Sequence, residues 1–157
     1  MDNYKEIPGV YHVTISDERF SENEVSPMLV GLSNLRSDTC CALYAYVMIP
    51  GEVHLLLKER DQSVRDCVQY LFDCCYSDGD PGFTVEEVSS TEKFVDVFTM
   101  IARLPVEEGL CETPGEYAYG SWVNDYIGLC SINVCQRLVV LRRFGFDYLY
   151  RRINGLV

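Results

Sequence analysis

The chain has 157 residues, 48% of them apolar, which suits one domain with a single core and argues against disorder. Lys and Arg number 13 against 24 Asp and Glu, a net charge of −11, which disfavours tight nonspecific binding to nucleic acid because such binding depends on cations neutralising phosphates. No stretch approaches the roughly 20 apolar residues that span a bilayer, and MDNYKEIPGV lacks a basic start followed by an apolar run, so a cytoplasmic chain without membrane span or signal peptide is expected.

Residues 9–16 alternate well enough for a strand. Ser21 and Glu24 have the spacing of a capping box, which opens a helix to about Arg36 with Pro27 tolerated in its first turns. Strands follow at 40–49 and 52–58 around a tight Pro50-Gly51 turn. Asp61 is placed to cap a second helix running to about Cys75, and SDGDPG at 77–82 reads as a loop. A short strand at 83–88 precedes a second capping box, Ser89 with Glu92, and a helix whose apolar face includes Val95, Phe98, Ile101 and Ala102. Val106 to Gly109 reads as a separate helical turn. Helices at 131–144, stopped by Gly145, and at 147–153 close the chain. The order strand-helix-strand-strand-helix-strand-helix predicts an α+β fold, an antiparallel sheet with helices packed on one face, with further helices at the C-terminus.

The stretch YAYVMIPGEVHLLL, residues 44–57, holds the main candidate site. Side chains two apart on a strand share a face, so Glu52 and His54 project together from an otherwise apolar strand. A carboxylate beside an imidazole can hold magnesium or manganese; the plainer reading is a pair on a water-exposed strand face. His12 reads as a strand residue, hydrogen-bonded in the core.

The eight cysteines form no C-x-x-C pair, and only two histidines are present, so a zinc site is not expected. Contexts such as CCALYAYV and YLFDCC suggest buried free thiols in a reducing compartment. Charge is uneven. Residues 137–157 carry five arginines against Asp147 alone, a net +4 within a total of −11. This basic end reads as a solvated or self-pairing face docked on the acidic body, or else as a local phosphate or partner site.

The segment 44–57 resembles the strand signature of single-tyrosine HUH transposases of the insertion-sequence-200-like and REP-associated branches, roughly YAYVxMPNHVHLL. Pro50, Val53, His54, Leu55 and Leu56 match; Gly51 replaces an Asn and Glu52 replaces the first metal-binding His. Residues 101–128, IARLPVEEGLCETPGEYAYGSWVNDYIG, resemble a second family motif through Pro105, Val106, Gly109, Leu110, Pro114, Tyr117, Ser121, Tyr126 and Gly128. Tyr11-His12-Val13-Thr14 is similar to the family's first strand, with Ser16 where an Arg usually follows.

The resemblance implies a ferredoxin-like domain over residues 1–129, with 130–157 as a helical extension packed on it. It also implies a protein that binds, cleaves and rejoins single-stranded DNA, using a metal held by two histidines and a tyrosine nucleophile on a helix. The nucleophile's counterpart is Met100, and that of an assisting Asn is Leu104. A thioether has no ionisable proton and cannot attack phosphorus, so the expectation is a transposase-like domain without catalytic residues. Glu52 and His54 remain as a degenerate site for magnesium or manganese. Tyr117, Tyr119 and Tyr126 near Trp122, and Tyr70 on the preceding helix, are expected to be structural aromatics rather than substitute nucleophiles. Expected partners are single-stranded or hairpin DNA, bound weakly given the charge, and a second copy of the chain as a homodimer, with no membrane. An active nuclease with an altered site and a domesticated protein-interaction domain are the alternatives.

Overall fold

The computed structural model describes residues 9–37, 40–128 and 134–156. Strands β1 (Val10–Ser16), β2 (Cys41–Ile49), β3 (Glu52–Glu59) and β4 (Gly82–Glu87) form one antiparallel sheet in the order β2-β3-β1-β4. Helix α1 (Val25–Ser37) links β1 to β2, α2 (Val64–Cys75) links β3 to β4, and α3 (Thr91–Glu107) follows β4. A π-helical turn (Trp122–Ile127) and helices α4 (Arg137–Phe144) and α5 (Phe146–Ile153) complete the fold. Among the described residues no helix is long and apolar enough to cross a membrane. The expected helix start at residue 131 lies outside the described residues, and α4 is seen from Arg137.

The β2–β3 hairpin turns where expected, because Gly51 takes φ +84°, a conformation costly for any residue with a Cβ. Register then assigns the faces. Val13 lies opposite Leu55 and Ile15 opposite Val53, so these apolar residues share one face. Helices α1 and α2 cover it, and Glu59 on the same face accepts a hydrogen bond from Val64 N at 2.9 Å where α2 begins. The other face carries His12, Thr14, Glu52 and His54. Helix α3 lies over it, with Lys93 Nζ 2.6 Å from Glu86 Oε1 on β4, opposite His12. Helices therefore pack on both faces, because Val10, Ala45, Val47 and Leu56 make the second face apolar as well.

The Ser21–Glu24 capping box is present, and a 3-10 turn precedes α1. Two expected caps are displaced. Ser63, not Asp61, caps α2 by accepting from Asp66 N, and Ser90, not Ser89, caps α3 by accepting from Lys93 N. In both cases the hydroxyl that reaches a free N–H of the first turn wins over a neighbour with similar chemistry. The segment 106–109 is no separate turn. Helix α3 continues through Pro105, which has no N–H to donate to the carbonyl one turn back, and stops before Gly109 at φ +73°. Cys40, Cys41, Cys67 and Cys135 are buried thiols, Cys74, Cys75 and Cys111 are half-buried, and Cys130 lies outside the described residues.

The edge of β2 is closed by residues 117–126 and by Gln136. Gly120 bridges Val47, Met48 N donates to Tyr119 O at 2.9 Å, and Gln136 N donates to Leu43 O at 2.7 Å. Ser121 Oγ accepts from Tyr46 N at 2.9 Å and donates to Tyr46 O at 3.1 Å, standing in for a missing strand neighbour. Tyr117 and Tyr126 donate their hydroxyls to Met48 O and Tyr44 O at 2.6 and 2.7 Å. At Gly128 any Cβ would collide with the Val123 carbonyl.

Candidate functional site

His54 is the centre of the polar patch on the α3 side of the sheet. Its Nε2 lies 3.0 Å from Glu52 Oε1. Its Nδ1 lies 3.1 Å from His12 Nε2 and 3.4 Å from Thr14 Oγ1. The two imidazoles stack with centroids 5.3 Å apart and planes 25° from parallel. The β1–β3 register produces this group by setting Thr14 opposite His54 and His12 opposite Leu56. His54 is only 8% exposed, so it does not sit on a water-exposed strand face; Glu52 is half-buried.

The partners decide the proton positions. A carboxylate only accepts, so the proton between Glu52 and His54 sits on Nε2. Between His12 Nε2 and His54 Nδ1 one nitrogen donates and the other accepts. Burial first, then the neighbouring His54 and Lys93, push the His12 imidazole down to about 4, with Glu86 opposing them. His12 is therefore neutral at neutral pH, as the donor-acceptor chain requires.

A resident divalent metal does not fit this arrangement. Metal ligands must aim lone pairs at one point, and here only Glu52 Oε1 and His54 Nε2 approach each other, while His12 sits on the opposite nitrogen of His54. Among the described residues no group of three or more His, Cys, Asp or Glu is arranged to hold a metal. His12 is the member that sequence reading passed over. Its signal was present, since His12 and Thr14 are two apart on β1 and must share a face; what was missing was the register that sets that face beside His54.

Met100 and Leu104 are half-buried on α3 and pack against the core. Helical spacing puts them on the stripe of Lys93 and Val97, the flank that Lys93 anchors to β4. The tyrosines are otherwise engaged. Burial pushes the Tyr117 phenol up to about 12 and raises that of Tyr126, the reverse of what a nucleophile needs. Tyr119 packs edge-on against Tyr117, and Tyr70 OH accepts from Asn34 Nδ2 at 2.9 Å.

No family model and no curated protein matches the sequence. Among solved structures, a REP-associated tyrosine transposase bound to a REP hairpin superposes with a TM-score of 0.63 at 12% identity, covering 81% of this chain and 86% of that one. The architecture of this chain is similar to that of this transposase. Identity this low carries the architecture and leaves the chemistry to be argued from the residues.

Proposed function

We propose that this chain is a transposase-like domain of HUH type that binds hairpin or single-stranded nucleic acid and does not cleave it. The observation that carries the reading is the closed chain Glu52–His54–His12, in which both nitrogens of His54 are engaged by protein groups. Support comes also from Met100 and Leu104, which put apolar side chains where the resemblance expects a nucleophile and its polar neighbour. The nucleic-acid part of the reading is supported by the fold shared with a protein whose structure holds a REP hairpin. With a charge of −11 the affinity should be weak, because few cations are available to neutralise phosphates.

The test is incubation of the purified chain with end-labelled hairpin DNA and manganese. A shifted complex in a low-salt native gel, with no covalent adduct on a denaturing gel, is expected. A covalent adduct would overturn the loss of cleavage, and failure to shift at any salt would overturn the binding.

A further inference from the structure

The basic C-terminal end converges on a cleft of about 510 Å3 between the first turn of α3 and the α4–α5 pair. Its walls include Arg143, Phe144, Tyr148 and Arg152 from α4 and α5, with Glu92 and Asp96 from α3. That volume lies within the range of small-molecule and nucleotide sites. The guanidinium carbons of Arg152 and Arg143 lie 5.9 and 5.7 Å from the ring centroids of Tyr148 and Phe144. Tyr148 is 45% exposed, although Leu149 beside it is fully buried, so α5 turns this ring outward while anchoring its own backbone.

We infer that this cleft is a binding site for single-stranded nucleic acid, with an unpaired base stacked on Tyr148 and the adjoining phosphate held by Arg143 and Arg152. The inference rests on the nucleic-acid reading above and gives it a surface away from the Glu52–His54–His12 group. An exposed aromatic ring such as Tyr148 beside arginine is what sequence-tolerant single-strand binding uses, because every base has a face to stack and every nucleotide a phosphate.

The carboxylates limit how it works. Asp96 Oδ1 accepts from Arg152 Nη2 at 3.2 Å, which orients that guanidinium. Glu92 lies in the first turn of α3, where the helix dipole favours a negative charge. Two guanidiniums facing two carboxylates leave little net attraction for a bare phosphate, so stacking supplies the larger share. Binding through this cleft therefore depends only shallowly on salt, with a slope of about −0.7 for each phosphate contacted.

The experiment is fluorescence anisotropy of the full chain with labelled oligothymidylate across a salt series, alongside a blunt hairpin without unpaired nucleotides. Tyr148→Ala should weaken oligothymidylate binding roughly 5- to 100-fold, the range for loss of one stacked base, whereas Tyr148→Phe should stay within about twofold. Arg143→Ala and Arg152→Ala combined, which release the one phosphate, should flatten the salt slope by about 0.7. Asp96→Asn, which removes the opposing charge, should tighten binding. Circular-dichroism melts establish that each variant is folded.

Unchanged oligothymidylate affinity in folded Tyr148→Ala overturns the site. Displacement of the DNA by polyglutamate of equal charge overturns it too, since the surface would then be one for acidic polypeptides. Hairpin binding that ignores Tyr148→Ala, with no Tyr148-dependent single-strand binding, sinks this inference and leaves the hairpin reading standing. Tyr148-dependent binding of oligothymidylate without hairpin binding does the reverse.

Discussion

The segment 117–128 and the Glu52–His54–His12 group lie on the same small fold, yet they relate to the transposase pattern in opposite ways. In the first, the residues that resemble the family motif all meet backbone. Tyr117, Ser121 and Tyr126 bond to Met48, Tyr46 and Tyr44 of β2, and Gly128 leaves room for the Val123 carbonyl. The residues that depart from the resemblance, Glu52 in the second and Met100 and Leu104 on α3, are those whose role would be chemical. A residue that seals a sheet edge is held by folding energy, because losing it leaves buried N–H and C=O groups unpaired. A nucleophile or metal ligand contributes little to folding and can be replaced without loss of the architecture.

That contrast can be broken by mutation, and the largest effect belongs to the sealing segment. Trp122 is almost fully buried and packs against Phe98, Tyr126 and Phe146. Trp122→Ala should cost about 3–5 kcal/mol in urea unfolding. Ser121→Ala removes two hydrogen bonds to the Tyr46 backbone and should cost about 1–3 kcal/mol, since both groups it served stay buried. If Ser121→Ala were as stable as the parent, the claim that the motif-like residues of this segment serve folding would be wrong.

The polar group should show itself through pH. His12 takes up a proton near 6.5 when unfolded and only near 4 when folded, so the unfolded chain binds more protons between those values. Its contribution to stability is present above pH 6.5 and is lost as pH falls toward 4. The melting temperature of the parent should therefore drop more between pH 7 and pH 5 than that of His12→Gln, in paired thermal scans. Equal drops would mean that His12 is not held neutral by its surroundings.

The smallest effect on stability, and the sharpest test of the contrast, is the combined change Glu52→His, Met100→Tyr and Leu104→Asn. These sites are half-buried, so the fold should persist with a change of about 1 kcal/mol or less per site. Calorimetric titration should then detect manganese binding that the parent lacks, because a second imidazole replaces the carboxylate that occupies His54 Nε2. A folded triple variant without manganese affinity would show that Glu52, Met100 and Leu104 do not correspond to the site residues that the resemblance implies.

Much of this was readable in the chain. Alternation at 9–16 and 52–58, the Pro50-Gly51 turn and the Ser21–Glu24 box are local signals, and strands, turn and cap formed where those signals stand. The displaced caps at Ser63 and Ser90 failed for a local reason too, since adjacent serines and aspartates offer equivalent oxygens and only the backbone path selects between them. The polar group was half legible. Glu52 and His54 follow from alternation on one strand, whereas His12 enters from 42 residues away through strand pairing.

What the sequence determined by itself is the order of elements, the pairing of Glu52 with His54 and the basic character of the C-terminal end, because each depends on neighbours along the chain. Only the tertiary structure decided that α3 covers the second face of the sheet and that residues 117–126 and Gln136 close the β2 edge. It alone set His12 against the far nitrogen of His54 and brought α5 beside the first turn of α3. Those outcomes depend on register and on which apolar faces meet, and register is a property of two strands at once, so no single segment encodes it.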